Sequence, residues 1–273
     1  MAVTLLNTFI KSTIDGLATT LTVGTTNAAG DICVAFWAHP RGALTGNLRS
    51  SAGTAYTQLA TVASTANLNV MVGYRVFTSS ETTVTSCATG SAQDGLVLMA
   101  AVLRGAGSLP LIIQQNSTTA GSSNPNSPAV MVPWANSAVL TAGAMETTSV
   151  ITTAPSGFAN LVSTSANDTR DVSAALAFKS TNAGVTDPSS FTGGIAAAWV
   201  AFTVTIGSTE APIMANMGTQ EVPPAYRIEP GLSAAWQQYF SGITVPAATS
   251  PDVFAPSVNE WWVSRKPQGM IGY

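Results

Sequence analysis

The chain has 273 residues, a formal net charge of −3, and charged side chains at only 8% of its positions. Soluble domains carry about 25% charged residues, so little charge repulsion keeps copies of this chain apart, and permanent contact with other protein is expected. The longest run of cations is the pair Arg265-Lys266, which leaves no basic footprint for nucleic acid or for an anionic membrane.

The first residues predict a protein that is made and kept in a cytoplasm. Lys11 follows the apolar residues of MAVTLLNTFIKSTIDG instead of preceding them, and a long apolar signal-peptide core is missing. No apolar run approaches the roughly 18 residues that span a bilayer. The cysteines Cys33 and Cys87 are too few for a disulfide scaffold. We expect Cys33 to be a small buried hydrophobe, with a bridge to Cys87 as the less favoured alternative in a reducing compartment.

The body of the chain has an all-β pattern. Segments rich in Val, Ile, Thr, Tyr and Phe alternate with clusters of Gly, Ser, Asn and Pro, which predicts a series of strands. The predicted strands are 17–23, 31–38, 68–77, 95–103, 171–178 and 195–206. Strands 95–103 and 195–206 are apolar on both faces, so each is expected inside a sheet with its outer face covered.

A weak internal repeat relates the two halves of this body. When the first half is shifted by about 102 to 105 residues, Leu68, Val70, Val72 and Tyr74 fall on Val172, Ala174, Leu176 and Phe178. Both sets lie on one face of a strand with a period of two residues. Each half offers about four recognisable strands, too few to close a core alone. The pattern therefore predicts two similar halves that pack as one antiparallel sandwich of about eight strands over residues 1–207.

Residues 208–273 differ in composition. They hold eight of the fifteen prolines, which cannot occupy a central sheet, and three of the six tryptophans, which a disordered linker would lack. We predict an extended arm with one short helix at 232–241, because Leu232, Trp236, Tyr239 and Phe240 follow helical spacing. The residues predicted to bind a partner are Trp236, Tyr239, Phe240, Trp261, Trp262, Arg265, Lys266 and Tyr273.

Neighbouring residues of an extended segment point to opposite sides. Trp261 and Trp262 are therefore expected on different surfaces, one packing on the chain's own body and the other on a partner, with Arg265 and Lys266 at the rim.

The sequence has no recognisable catalytic, metal or cofactor motif. The one histidine, His39, precedes Pro40 at the end of an apolar strand and has no nucleophile turn to serve, so a structural or surface role is expected. Asp168 and Asp171 flank Arg170 in a short loop, which predicts a solvated turn with a local ion pair. We expect the protein not to be an enzyme, and hydrolysis of glycans by an unrecognised acidic pair is the weakest alternative.

Three tryptophans of the body raise the possibility of sugar binding. Trp37 and Trp134 are candidates for stacking on a carbohydrate, whereas Trp199 lies in a strand that is apolar on both faces and is expected in the core. For Trp134, after Pro133, packing and ligand contact are both open.

With these elements assembled, the sequence resembles the β-sandwich virion proteins of tailed bacteriophages. The resemblance rests on GDICVAFWAHP, AYTQLATV, NLNVMVGYRVF, APSGFANLV and GGIAAAWVAFTVTIG, and it covers residues 1–207. It implies a jelly-roll-type sandwich and a place in the virion.

The function implied is that of a capsid decoration or cement protein, assembled in the host bacterial cytoplasm and located on the capsid surface. Its expected partners are the major capsid protein and copies of itself. The alternative is a tail or baseplate module that binds host surface carbohydrate.

Overall fold

The protein is described by a computed structural model that covers residues 2–14, 18–24, 26–40, 47–65, 68–87, 95–107, 112–193 and 195–208. Within these ranges the chain is built from antiparallel strands and has no helix. The predicted helix at 232–241 and the predicted arm lie outside the described residues.

The first half contributes eight strands. They are β1 (Thr4–Thr13), β2 (Ala18–Thr22), β3 (Ile32–His39), β4 (Asn47–Ser50), β5 (Thr57–Thr65), β6 (Leu68–Val76), β7 (Thr83–Cys87) and β8 (Leu96–Arg104). They form a large sheet in the order β1-β8-β3-β6-β5 and a small sheet in the order β2-β7-β4.

The second half contributes seven strands. They are β9 (Ile112–Ser122), β10 (Val130–Val132), β11 (Ser137–Met145), β12 (Ala159–Ala166), β13 (Val172–Thr181), β14 (Gly184–Thr186) and β15 (Ala197–Ile206). Their large sheet has the order β12-β13-β11-β15-β9, and β10 pairs with β14 in a small sheet.

The same strand order occurs in both halves. Read from β1 and from β9, the large sheets are β1-β8-β3-β6-β5 and β9-β15-β11-β13-β12, and β2 pairs with β7 as β10 pairs with β14. The aligned residues of the predicted repeat lie in β6 and β13, which occupy equivalent places. In place of a strand equivalent to β4, the second half has an isolated bridge between Thr153 and Thr192.

The two large sheets face each other across one central core. Along β3, Ile32, Val34 and Phe36 belong to this core, and β15 supplies Val200, Phe202 and Val204 from the other side. At the lateral edges, β1 lies near β12 and β5 near β9, so each sheet edge is close to an edge of the facing sheet. The apolar faces of both halves are thereby buried against each other.

Each half also has a core of its own. The alternate residues of β3, Cys33, Ala35 and Trp37, point away from the central core and pack with Leu21, Leu48 and Val84 of the small sheet. On the outer side of the second large sheet, Met145, Ile151 and Phe191 form a corresponding core. The prediction that neither half closes a core alone is therefore wrong.

The prediction of about eight strands is wrong for the same reason, because the described residues contain fifteen. The predicted strand 17–23 corresponds to β2, whereas the other strands of the small sheets, with three to five residues each, were missed. Five longer strands of the large sheets were not predicted either, namely β1, β5, β9, β11 and β12. The prediction for 95–103 and 195–206 is confirmed. β8 lies between β1 and β3, β15 lies between β9 and β11, and both are buried along most of their length.

Truncating one aromatic side chain of the central core tests how much this shared core contributes to the free energy of unfolding. Phe202 is 1% exposed, so Phe202→Ala should lower the free energy of unfolding by about 3–5 kcal/mol, through lost burial and the cavity left behind. Urea unfolding followed by tryptophan fluorescence measures this change. Gln58→Ala at an exposed position of β5 is the control and should stay within about 0.5 kcal/mol of the wild type; equal effects would contradict a shared core.

Candidate functional site

One turn, residues 134–136, binds both the segment before β1 and the segment after β15. The amide of Val3, just before β1, donates to the carbonyl of Asn136 at 2.9 Å. The hydroxyl of Ser208, just after β15, donates to the carbonyl of Ala135 at 2.8 Å. We call residues 134–136 the exit turn, because the C-terminal segment continues from Ser208 at this point.

The linker between the halves runs beside the exit turn. Ala106 forms an isolated antiparallel bridge with Ser208, and the amide of Gly107 donates to the carbonyl of Gly207 at 2.9 Å. Gly207 has no side chain because Trp134 occupies that space: a Cβ there would lie 2.6 Å from Cδ2 of the indole. The start of the C-terminal segment is thus fixed as far as Ser208.

An ion pair holds the end of β8, directly before this linker. The guanidinium of Arg104, at the end of β8, donates from Nε to Oδ1 of Asp31 at 2.9 Å and from Nη2 to Oδ2 at 2.8 Å. Nη2 also donates to the carbonyl of Thr26 at 3.1 Å, and the amide of Ala28 donates to Oδ2 of Asp31 at 2.7 Å. The bidentate geometry is that of the strongest carboxylate pairs.

These contacts change the pKa of Asp31. Burial alone would raise it, but the hydrogen bonds from Arg104 and from the amide of Ala28, together with the positive charge of Arg104, outweigh burial and lower the pKa. Asp31 is therefore ionised at neutral pH and bound to the linker.

A second ion pair lies in the outer core of the first half. Nε of Arg75 donates to Oε1 of Glu81 at 2.8 Å, and both side chains are largely buried. The side chain of Asn27 accepts from the amide of Glu81 at 3.0 Å and donates to the carbonyl of Glu81. The two pairs place four of the chain's few charges in structural contacts within the first half.

Cys33 lies next to this second pair and is a free thiol. Burial raises its pKa to about 12, although the nearby hydroxyl of Tyr56 opposes the rise. The thiolate, which is the nucleophilic form, is thus not populated at neutral pH. The expectation of a buried Cys33 is confirmed, and a bridge from it to Cys87 is absent from the described structure.

The loop 167–171 contacts the chain just after His39, at the end of β3. His39 is the buried last residue of β3, and its ring lies edge-on to Trp37 with centroids 6.2 Å apart. Nη1 of Arg170 donates to the carbonyl of Pro40 at 3.5 Å, which joins the two halves at this end. Within the loop, the amide of Asp168 donates to Oδ1 of Asp171 at 3.3 Å, and the local ion pair of Arg170 stays a prediction.

The three candidate tryptophans of the body are all buried. Trp37 is 0% exposed, and Trp134 and Trp199 are each 6% exposed. None of them presents a ring face on which a sugar could stack. The stacking hypothesis for Trp37 and Trp134 is therefore wrong, the open choice for Trp134 resolves as packing, and the core position of Trp199 is confirmed.

The predicted partner-binding residues, from Trp236 to Tyr273, lie outside the described residues and stay predictions. Among the residues that the structure describes, no group of three or more His, Cys, Asp or Glu side chains is placed to hold a metal ion. In the same ranges there is no helix with the length and apolarity to cross a membrane.

The comparisons with known proteins add no relative: neither the protein-family models nor the curated proteins give a match to this chain.

Replacing Asp31 by Asn tests the linker ion pair through its pH dependence. Because the native pKa of Asp31 lies below its ordinary value of 3.8, ionised Asp31 stabilises the fold above pH 3.8, and this contribution is lost as pH falls through the native pKa. Asp31→Asn should therefore lower Tm at neutral pH, and its difference from the wild type should shrink in acid. Asp187→Asn at an exposed position is the control; a gap that stays constant down to low pH would contradict the assignment.

Gly207→Ala tests the contact that fixes the exit of the C-terminal segment. The added Cβ meets the Trp134 ring, and overpacking of this kind costs about 1–3 kcal/mol of unfolding free energy. Chemical denaturation measures the cost in the wild type and again in a Trp134→Ala background. In that background the substitution should cost much less, whereas equal costs in the two backgrounds would rule out the indole as the obstacle.

Proposed function

We propose that the chain is a virion structural protein of a tailed bacteriophage, a capsid decoration or cement protein that oligomerises on the head. The observation that carries the proposal is the nested pairing of the first eight strands. β1 pairs with β8, β2 with β7 and β3 with β6, and β4 bridges through Arg49 to Ala55 just before β5. This nesting of antiparallel strands supports a jelly-roll-type fold, which is used by viral capsid proteins as well as by lectins and cupins.

The tandem of two such halves supports a structural role. The second half repeats the large sheet of the first, and the central core between them is formed by side chains from both. Such a body is held by burial across many strands and needs few charges, in agreement with the 8% charged residues of the chain. A surface with little charge is suited to close packing against neighbouring copies and against a shell of major capsid protein.

The buried tryptophans favour this function over carbohydrate binding. Lectin-type jelly rolls are the alternative that the fold allows, but the rings of Trp37 and Trp134 are packed inside. The two rings proposed for sugar stacking are thus already used by the fold.

The C-terminal segment supplies the attachment in this proposal. Residues 209–273 begin directly after an anchored point, Ser208 at the exit turn, and contain the aromatic residues predicted to bind a partner. A buried aromatic side chain removes about 150–250 Å² from water, worth on the order of 25 cal/mol per Å² before ordering costs. Several aromatics on a neighbouring subunit or on the shell would suffice for stable attachment.

Deleting residues 243–273 tests this function. The truncated protein should keep the circular dichroism of the all-β body but fail to occupy capsids that lack the protein, as seen by cryo-electron microscopy of reconstituted heads. Trp261→Ala and Trp262→Ala should then differ, one lowering Tm and the other lowering occupancy. Full occupancy by the truncated protein would refute the role of the arm, and failure of the intact chain to bind heads, with specific binding on a glycan array, would favour the carbohydrate-binding alternative.

A further inference from the structure

The outer core of the first half contains a group of polar side chains that the proposed function does not use. Cys33 of β3 lies opposite Arg75 of β6, and Arg75 is bound to Glu81. Tyr56 packs over Gly73, where a Cβ would lie 3.3 Å from the Cβ of Tyr56. Gly73 and Arg75 are two residues apart on one face of β6, so Tyr56 packs on the face that also carries Arg75, and its hydroxyl is close enough to Cys33 and Glu81 for both to act on its pKa.

The chemistry of Tyr56 reflects these neighbours. Burial raises its pKa, and the Cys33 thiol and the Glu81 carboxylate raise it further, whereas the charge of Arg75 opposes the rise. The hydroxyl is therefore a neutral O–H that can both donate and accept a hydrogen bond.

Two oxygen atoms of this group lack a protein partner. In the described part of the chain, the hydroxyl of Tyr56 and Oε2 of Glu81 are buried and accept or donate no hydrogen bond. Tyr56 is 7% exposed and Glu81 is 3% exposed, so bulk water does not reach them freely. Buried polar groups are almost always paired with protein or with ordered water, because an unpaired group loses its hydration without compensation.

We propose that a single internal water molecule binds between Oε2 of Glu81 and the hydroxyl of Tyr56, beside the thiol of Cys33. The ligand must be neutral, because the charge of Glu81 is already balanced by Arg75 at 2.8 Å and a bound cation would add an uncompensated charge. The ligand must also donate a hydrogen bond to Oε2 of Glu81 and either donate to or accept from the hydroxyl of Tyr56. Water meets both conditions, and the thiol gives it a third, weaker partner, within the range of partners that buried waters have.

This water would link segments that are distant in sequence. Tyr56 precedes β5, Glu81 precedes β7, and Cys33 lies on β3 in the large sheet of the first half. The site thus joins the small sheet to the large sheet through hydrogen bonds at a place where the outer core is otherwise apolar.

A crystal structure of the full chain at a resolution that shows ordered water is the decisive experiment. We expect a density peak within hydrogen-bonding distance of both the Tyr56 hydroxyl and Oε2 of Glu81. A direct bond between the two oxygens with no peak between them would overturn the proposal, as would a dry site.

The variant Tyr56→Phe gives a second readout in solution. If the hydroxyl binds the water, Tyr56→Phe should lower Tm relative to Tyr74→Phe, which removes a hydroxyl from β6 on its other face and serves as the matched control. An unpaired hydroxyl predicts the opposite sign, because its removal relieves a buried polar group, so a higher Tm for Tyr56→Phe would overturn the proposal. Neither measurement involves capsids, and a failed capsid-binding test leaves this site unaffected.

Discussion

Burial of both faces of the large sheets is the constraint on which the rest of the structure depends. A strand such as β3 sends alternate side chains into two different cores, the central one shared by the halves and the outer one beneath the small sheet. This requires an apolar residue at nearly every position, and β3 is buried from Ile32 to His39. The small sheets are then necessary, because without them the outward faces of β3, β6 and β8 would meet water.

Some of the rare charges lie where one half of the body meets the other. Arg104 ends β8 directly before the linker between the halves, and Asp31 binds it from the start of β3. Arg170 joins the other end by its hydrogen bond to the carbonyl of Pro40. In a chain whose surface interacts with water mainly through hydroxyl and amide groups, these few ionic contacts fix positions that apolar burial alone, being non-directional, leaves less defined.

The sequence predicted those parts of the fold that have long apolar runs. β3, β8 and β15 were recognisable because both of their faces are apolar, and the repeat was recognisable because β6 and β13 keep the same alternation. Apart from β2, which was predicted as 17–23, the short strands of the small sheets were not recognised, because a strand of three to five residues shows too little alternation to distinguish it from a loop.

The polar contacts of the candidate site were harder to predict than the strands. Asp31 and Arg104 are 73 residues apart, and nothing in their local sequence relates them. Their one signal is position, since each is an isolated charge that directly borders an apolar strand. Trp134 was ambiguous for a similar reason, because the glycine that makes room for its ring, Gly207, is distant in sequence and becomes its neighbour only in the fold.

The exit turn has a mechanical consequence. Val3 and Ser208 are hydrogen-bonded to adjacent residues, Asn136 and Ala135, so a force that pulls the two ends of the strand-bearing body apart is resisted first at one turn. The ladders of β1 with β8 and of β9 with β15 would carry load only after that turn had given way. The cores are therefore loaded only after these two hydrogen bonds have broken.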